Sequence, residues 1–331
     1  MQAFKEPETT RSDRPSLGIR LLHALGKEPD WAEMTDEELA AFSEAENRKR
    51  MSPFARVITG RPRRGVDIRW QDLTLPGRKL RLRVYRSGGP RSESNLLPLV
   101  VHVHGGGFVG TAVQSDWINS HLAAQLPAVI VSVEHRLLAP ETPLSEPVDD
   151  GWDVLQTLVR DAAEWGVDPD RVAVFGESTG ALISALAAIR GRDCGLRLRA
   201  QVLANPCVDL TPTLYDYPSM AQYGESPTLT KTQMELFCRL AIPAGTDSRP
   251  LSPLYAENLS SLAPALVIVP TFDPVSDQGR LYAERLRDAG TPARLTEYRG
   301  ATHAFLSMPN VVPQAKPARA EILAFLRDCL S

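Results

Sequence analysis

Cysteine and long apolar runs are scarce in this 331-residue chain, and each scarcity excludes a class of protein. The four cysteines, Cys194, Cys207, Cys238 and Cys329, show no Cys-x-x-Cys spacing and have no histidine partners at zinc-finger intervals. We therefore expect neither a disulfide framework nor a metal site, and we interpret the thiols as inert. No stretch approaches the roughly 18 uninterrupted apolar residues of a membrane span, and the first residues lack the apolar core of a secretory signal. The sequence predicts a cytoplasmic protein with no stable membrane insertion.

An excess of charge of one sign is also lacking. The 37 lysines and arginines nearly balance the 40 aspartates and glutamates, which leaves a net charge of −3. The short basic runs at 48–50 and 61–64 are interpreted as solvated faces of a connector. Because no patch points to nucleic acid or to an anionic membrane, the expected partner is a small molecule.

The first part of the chain combines helical and strand patterns. Two helices are expected at 17–25 and 35–49, and the second begins with a capping box that starts at Thr35. Apolar residues then alternate with a period of two at 66–75 and 80–85, which predicts a hairpin with one solvated face. With 43% hydrophobic residues, the chain can bury one large core and carry a cap beside it.

From residue 99 onwards, short apolar runs alternate with helical patterns. The expected strands lie at 99–103, 128–133, 172–175, 200–203, 265–269 and 293–298. The expected helices lie near 115–126, 147–165, 181–189 and 276–289, and from about 314 onwards. Apolar strands separated by helices predict an α/β fold with a mostly parallel sheet of eight strands flanked by helices, to which the hairpin adds an antiparallel edge.

One segment interrupts this alternation. Residues 205–255 are rich in proline and aromatic side chains, and contain one convincing helical pattern, at 231–240. Apolar side chains that the sheet cannot bury predict a lid over a site, packed with the N-terminal helices. The alternative is a purely structural excursion.

Gly176-x-Ser178-x-Gly180 stands between an apolar strand and an alanine-rich helix. A Gly-x-Ser-x-Gly pattern alone is weak, but the strand–turn–helix context is the one that a nucleophile elbow requires. Glycines two residues either side of the serine remove Cβ atoms that would clash in so tight a turn. Ser178 is the predicted nucleophile.

A serine nucleophile needs an imidazole to accept its proton and a carboxylate to orient that imidazole. Asp273 and His303 each follow a predicted strand closely, in the order Ser, acid, His. His303 is the only histidine after residue 135. We predict Asp273 as the acid and His303 as the base, and interpret the nearby Asp277 as a helix N-cap or an outer partner.

Acyl transfer also requires donors for the oxyanion, and a glycine loop after the strand at 99–103 can supply them. In His104-Gly-Gly-Gly107, the absence of side chains lets backbone N–H groups approach a substrate oxygen. The predicted oxyanion hole consists of the amides of Gly106, Gly107 and Thr179. The alternatives are a flexible turn or a phosphate-binding loop, and the latter would need a lysine or a wider glycine spacing.

Taken together, these residues resemble the hormone-sensitive lipase family of α/β-hydrolase carboxylesterases, from about residue 98 to 306. The matching motifs are His104-Gly-Gly-Gly107, His135-Arg-Leu-Leu-Ala-Pro-Glu141, Pro147-Val-Asp-Asp-Gly151, the serine elbow, Ser252-Pro253, Asp273-Pro-x-x-Asp-Gln-Gly279 and His303-x-Phe305. The resemblance implies the α/β-hydrolase fold with a helical cap. Cap segments are expected at 1–55 and 205–250, and core segments at 56–204 and 251–331.

Three residues depart from the family's usual pattern. Glu177 and Thr179 flank the serine where the family usually has Asp and Ala, and His135 stands where tyrosine is common. We interpret Glu177 as part of a salt link behind the elbow, and we expect the branched Thr179 side chain to narrow the pocket. These changes bear on substrate preference more than on reaction type.

The leading hypothesis is a serine carboxylesterase that hydrolyses short-chain or compact esters through an acyl-enzyme, with no cofactor and no metal. Candidate substrate contacts are Phe108, Tyr215, Tyr223 and Phe237, for which ordinary lid packing is the alternative explanation. A specialised lactonase, acyltransferase or dehydratase on the same site is a second hypothesis. A binding protein that no longer hydrolyses is a third. A small ester is the expected partner, and a homodimer is left open.

Overall fold

A sheet of eight strands runs through the centre of the computed structural model, which describes residues 14–25, 29–87 and 96–331. Residues 1–13 and 26–28 of the predicted N-terminal cap segment therefore lie outside the described residues. Within the described ranges, no helix combines the length and the apolar character that crossing a membrane would require. The cap boundaries at 1–55 and 205–250 stay a prediction.

The strands form one large sheet and one short ribbon. They are β1 (Val66–Leu75), β2 (Arg78–Ser87), β3 (Leu97–Val103), β4 (Val129–Glu134), β5 (Val167–Glu177), β6 (Ala200–Ala204), β7 (Glu225–Ser226), β8 (Leu229–Thr230), β9 (Ala265–Phe272) and β10 (Ala293–Thr302). The large sheet has the order β1-β2-β4-β3-β5-β6-β9-β10, and β7 pairs with β8. The β1–β2 and β2–β4 pairs are antiparallel, and every other pair in the large sheet is parallel. The predicted eight-stranded, mostly parallel sheet with an antiparallel edge is confirmed.

Helices cover both faces of this sheet. They are α1 (Leu17–Leu25), α2 (Asp36–Met51), α3 (Arg56–Thr59), α4 (Asp116–Gln125), α5 (Ser145–Arg160), α6 (Ala162–Trp165), α7 (Thr179–Asp193), α8 (Pro218–Tyr223), α9 (Lys231–Ala241), α10 (Ser276–Asp288) and α11 (Ala315–Leu330). In β3, Val100 packs with α4 and α11 on one face, whereas Val101 belongs to the core that contains α5 and α7. Both side chains are buried because successive residues of a strand point to opposite faces. This two-sided burial explains why the strand is apolar throughout.

The carboxyl ends of the parallel strands bring the predicted catalytic residues to one edge of the sheet. Ser178 directly follows β5, Asp273 directly follows β9 and His303 directly follows β10. His104, which opens the glycine loop, directly follows β3. In open α/β sheets this edge is where ligands bind.

Two sequence expectations need correction. The helix expected at 147–165 is interrupted at Asp161, whose φ of −99° and ψ of 27° separate α5 from α6. The insertion holds more structure than its single predicted helix, since α8 and the β7–β8 ribbon precede α9. These short elements lack the length that makes a sequence pattern recognisable. The capping box at Thr35 is confirmed, because Glu38 N–H donates to the threonine hydroxyl while Thr35 N–H donates to the Glu38 carboxylate.

Candidate active site

Ser178 occupies a strained turn between β5 and α7. Its φ of 55° and ψ of −119° lie in a region that a residue with a Cβ rarely adopts. The Ser178 N–H donates to the carbonyl of Ala204 on the neighbouring strand at 2.9 Å, which holds the turn against the sheet. Helix α7 begins at the next residue, Thr179. This strand–turn–helix geometry is that of a nucleophile elbow.

Close backbone contacts explain the glycines on either side of Ser178. A Cβ on Gly176 would lie 2.1 Å from the carbonyl oxygen of Gly180, closer than any real Cβ approaches. A Cβ on Gly180 would lie 2.1 Å from the carbonyl oxygen of Val103 at the end of β3. Only glycine at these two positions lets α7 begin directly against the sheet.

Ser178, His303 and Asp273 form a continuous chain of hydrogen bonds. The Ser178 Oγ lies 2.7 Å from His303 Nε2, and His303 Nδ1 lies 2.8 Å from Asp273 Oδ2. The other carboxylate oxygen of Asp273 accepts the N–H of Val275 at 3.0 Å. Asp273 is completely buried and His303 is 5% exposed, so water cannot compete freely for these bonds. An aspartate at Nδ1 favours the tautomer in which Nε2 can accept the serine proton.

Asp277 lies near this chain of hydrogen bonds but contacts other groups. Its Oδ2 accepts the backbone N–H of Ser219 in the insertion at 2.8 Å, and its Oδ1 pairs with Arg280 at 2.7 Å. The predicted N-cap role is wrong, because Asp277 is the second residue of α10 and the N-cap is Val275. Asp277 instead ties the insertion to the start of α10.

The glycine loop approaches its neighbours as closely as the elbow does. Gly106 has a φ of 103°, and a Cβ there would lie 1.7 Å from the carbonyl oxygen of Val109. A Cβ on Gly107 would lie 2.4 Å from the ring of Phe237 in α9. The Gly107 carbonyl accepts the N–H of Leu138 at 2.8 Å, which fixes the loop from the far side.

Backbone strain is concentrated around the same place. Of the four non-glycine residues with positive φ in the described part of the chain, Ser178, Asn205 and Ala304 all line one cavity. Asn205 Nδ2 lies 3.5 Å from His303 Nε2. Strained residues of this kind persist where the surrounding structure enforces them, and they cluster at functional sites.

The cavity above Ser178 has a volume of about 660 Å³. Its floor, as we use the word, consists of the glycine loop at 105–107 together with Ser178, Thr179, Asn205 and His303. Its roof consists of Trp31, Phe42 and Arg50 from the N-terminal segment and Met234 and Phe237 from α9. The volume falls in the range of small-molecule sites.

Burial shifts the pKa of two further titratable groups at or beside the cavity, Cys207 and His104, toward their neutral forms. Cys207 lines the cavity, but burial raises the pKa of its thiol well above the usual value, which keeps it protonated and a poor nucleophile. Burial lowers the pKa of His104 well below its usual value, and its ring stacks on His135 with centroids 4.2 Å apart. Within residues 14–25, 29–87 and 96–331, no three His, Cys, Asp or Glu side chains are grouped so that they could hold a metal ion.

Comparison with known proteins gives the family. A family model described as an α/β-hydrolase fold matches residues 100–307, which include the glycine loop, the elbow, the acid and the histidine. The carboxylesterase NlhH of Mycobacterium tuberculosis is 35% identical over 243 residues, covering 71% of this chain and 74% of the relative. The chain belongs to the hormone-sensitive lipase family of α/β-hydrolase carboxylesterases.

Further relatives of this carboxylesterase support that assignment. An arylesterase of Saccharolobus solfataricus is 33% identical over 269 residues, covering 80% of this chain and 83% of the relative. The crystal structure of a hyperthermophilic esterase from the archaeon Pyrobaculum calidifontis superposes with a TM-score of 0.82 at 30% identity, over 96% of this chain and all of the other. The likeness therefore extends beyond the matched core to the segments around it.

Of the four aromatic residues predicted to contact substrate in this carboxylesterase, two line the cavity. Phe108 and Phe237 are among the lining residues, whereas Tyr215 and Tyr223 are not. Tyr223 packs against Phe272 with ring centroids 5.4 Å apart. The ring of Tyr215 lies 5.9 Å from the Lys231 ammonium. Substrate contact by the two tyrosines finds no support in this arrangement, because Tyr215 packs beside α9 and Tyr223 packs against the end of β9.

Sequence reasoning missed a set of contacts in this carboxylesterase between α2 and the segment that follows the glycine loop. Ser43 Oγ donates to the carbonyl of Phe108 at 2.7 Å, and Asn47 Oδ1 accepts the N–H of Gly110 at 2.9 Å. Arg50 Nη1 donates to Gln114 Oε1 at 3.0 Å. The three α2 residues share one helix face, since they are spaced four and three positions apart. Their spacing was the available signal, although it does not reveal the partners.

Glu177 of the carboxylesterase lies in a buried polar network behind Ser178. Its carboxylate accepts the hydroxyls of Ser115 and Ser307 at 3.1 and 3.2 Å, and lies 3.3 Å from His102 Nε2. Ser132 lies 2.8 Å from the other nitrogen of the His102 ring. The expected salt link is thus a network of hydroxyls and an imidazole, which connects the elbow to β3, β4 and the segment after His303. The network satisfies a carboxylate that is only 1% exposed.

Proposed function

We propose that this protein hydrolyses short-chain or compact carboxylic esters through an acyl-enzyme formed on Ser178. The observation that carries the proposal is the chain of hydrogen bonds from Ser178 to His303 to Asp273, at 2.7 and 2.8 Å. Such distances are those at which a base can take the proton of a nucleophile directly. Membership of a carboxylesterase family supports the same reaction.

In the first half of the reaction, Ser178 Oγ attacks the ester carbonyl while His303 Nε2 accepts the serine proton. Asp273 stabilises the resulting imidazolium through Nδ1–H. The imidazolium then donates that proton to the departing alcohol as the tetrahedral intermediate collapses to the acyl-enzyme. In the second half, His303 accepts a proton from water, the hydroxide attacks the acyl carbon, and the acid leaves as Ser178 is reprotonated.

The negative charge on the tetrahedral intermediate needs donors in the floor of the cavity. We assign these donors to the backbone N–H groups of Gly106, Gly107 and Thr179. Thr179 is the first residue of α7, so its N–H is one of the four that have no acceptor within the helix. The positive end of the helix dipole adds to the attraction, and one such donor is commonly worth on the order of 100-fold or more in kcat.

The cavity supports a compact substrate. A volume of about 660 Å³ has to hold both the acyl group and the alcohol of the ester. Phe237 packs against Gly107 at the floor, which leaves little depth on that side. We infer that short acyl chains are preferred over long ones.

The experiment is a p-nitrophenyl ester series from acetate to palmitate, with Ser178→Ala assayed in parallel. We expect hydrolysis that peaks at short chains, and a loss of on the order of 10³-fold or more in kcat for the variant. Ser184→Ala is the matched control, because Ser184 is a buried serine of α7, the helix that begins just after Ser178, and its hydroxyl has no hydrogen-bond partner among the described residues. The control variant is expected to keep full activity.

Each remaining outcome favours a different function. If Ser178→Ala retained activity, the proposed mechanism would be wrong. A wild-type protein that is inert toward every ester but binds a small molecule tightly would indicate a binding protein. Turnover only when an acyl acceptor other than water is supplied would indicate an acyltransferase.

A further inference from the structure

Arg50 places a positive charge in the roof of the cavity. It is the next-to-last residue of α2 and lines the same cavity as Ser178. Its Nη1 donates to Gln114 Oε1 at 3.0 Å, and Gln114 Nε2 in turn donates to the carbonyl of Gly105 in the floor at 2.9 Å. The guanidinium is therefore held on one side by a buried glutamine that is itself fixed to the glycine loop.

The Arg50 guanidinium is only partly satisfied within the described part of the chain. Its Nε is buried and makes no hydrogen bond there, and the arginine makes no ion pair with a described carboxylate. Glu46, one turn earlier in α2, instead pairs with Lys49 at 2.5 Å. Burial lowers the pKa of Arg50 although Glu46 opposes that shift, but an arginine remains protonated even so.

A partly buried cation with an unsatisfied donor costs folding free energy, unless a ligand accepts the missing hydrogen bond and balances the charge. A single hydrogen bond to a neutral amide does not balance the charge. The other side chains of the roof as defined above, Trp31, Phe42, Met234 and Phe237, cannot accept a hydrogen bond. The Glu46 carboxylate also lines the cavity, but it is paired with Lys49. The planar fork of a guanidinium matches a carboxylate, to which it can donate two parallel hydrogen bonds.

We propose that Arg50 binds a carboxylate of the substrate, so that the preferred substrates are esters carrying a negative charge. This assignment rests on the proposed esterase reaction. The ester carbonyl lies over Ser178 in the floor while the carboxylate reaches the roof. Arg50 acts here as a specificity-determining residue and takes no part in the proton transfers at His303.

Two pairs of esters test this assignment. Mono(p-nitrophenyl) glutarate against p-nitrophenyl valerate places the carboxylate on the acyl side, with the same chain length in both. The acetate esters of 4-hydroxybenzoate and of 4-hydroxybenzamide place it on the alcohol side. For each pair the measured quantity is the ratio of kcat/KM for the charged ester to kcat/KM for the neutral one.

We expect Arg50→Met to lower this ratio by about 10- to 100-fold in at least one pair, the usual range for a lost charge-assisted hydrogen bond. The decrease should appear mainly in KM. Arg50→Lys should retain part of the ratio, because it keeps the charge but not the fork. Arg48→Met is the matched control: Arg48 pairs with Glu44 on the exposed side of α2, and its loss should change the ratio by no more than about twofold.

A structural role for Arg50 gives a different result. If Arg50 serves only to hold Gln114 and the glycine loop, Arg50→Met lowers kcat/KM for the charged and the neutral ester of each pair by the same factor. Asn47→Ala should give such an equal loss, because it removes the hydrogen bond to Gly110. An equal loss, or a wild-type enzyme with the same ratio as Arg50→Met in both pairs, overturns the proposal. Failure of the esterase proposal is recognised separately, because Ser178→Ala would then retain activity toward the neutral esters.

Discussion

The floor and the roof of the cavity are constructed in different ways. At Gly106 in the floor and at Gly180 just behind it, the close approaches are to backbone oxygens, at 1.7 and 2.1 Å from a Cβ that is absent. Gly107, which also belongs to the floor, is instead confined by a side chain of the roof, the ring of Phe237. The backbone of the floor is fixed by the sheet, whereas a side chain in the roof can be exchanged. We infer that the reaction is determined by the floor and the choice of substrate by the roof.

The largest expected effect concerns Asp273, which is buried behind the floor and hydrogen-bonded to the floor residue His303. Asp273→Asn should lower kcat by on the order of 10³- to 10⁴-fold, because an amide no longer holds His303 in the tautomer that accepts the serine proton. The measurement is kcat for a short p-nitrophenyl ester. Asp277→Asn is the control: its carboxylate binds Ser219 and Arg280, so the variant should lose some stability but keep kcat within about tenfold. Equal losses in the two variants would contradict the assignment of the acid.

A second prediction compares two adjacent glycines of the floor, one confined by backbone and the other by a side chain of the roof. Gly106→Ala should lower kcat by on the order of 100-fold or more, since its Cβ would collide with a backbone oxygen at a positive φ. Gly107→Ala should also be impaired, because its Cβ would collide with the Phe237 ring.

Phe237→Leu distinguishes the two cases when it is added to each glycine variant. The smaller side chain should restore most of the activity to Gly107→Ala and none to Gly106→Ala, measured as a double-mutant cycle in kcat/KM. Phe237→Leu alone supplies the reference for the cycle. Rescue of both variants, or of neither, would contradict the description of Gly106 as confined by backbone and Gly107 as confined by the Phe237 side chain.

The smallest expected effect is a change of folding stability with pH. It arises at His104, which directly follows β3 and opens the glycine loop. Burial lowers the pKa of His104 in the folded state, so below its unfolded value near 6.5 the unfolded chain binds more protons than the folded one. Stability should therefore fall as the pH drops through that value. By linkage, this one group can account for up to about 1.4 kcal/mol between pH 7.5 and 5.5.

Urea denaturation at pH 7.5 and 5.5 measures this contribution. His104→Gln should lose less stability between the two pH values than the wild type does. His121→Gln serves for comparison: burial lowers the pKa of this partly exposed histidine less strongly, so its removal should have a smaller effect. An unchanged pH dependence in His104→Gln would mean that His104 is not held neutral by the fold.

Much of the floor could be predicted from the sequence because it depends on local rules. The elbow glycines and the alternation of strands with helices are short-range patterns, and the serine, the acid and the histidine each follow a recognisable strand. Strand ends then converge, because parallel strands in one sheet place their carboxyl ends at the same edge. The position of Asp277 was predicted less well, since a helix start can shift by one or two residues without changing the pattern.

The roof could not be predicted in the same way, because its contacts join distant segments. Arg50 meets Gln114 across 64 positions, and Gly107 meets Phe237 through an insertion whose short elements leave little periodic signal. The aromatic residues of that insertion were recognisable as a group, but which of them face the cavity was decided by packing. Sequence alone therefore determined the sheet and the residues at its edge. Tertiary structure decided the shape and charge of the cavity, because long-range contacts depend on where whole segments pack rather than on their local sequence.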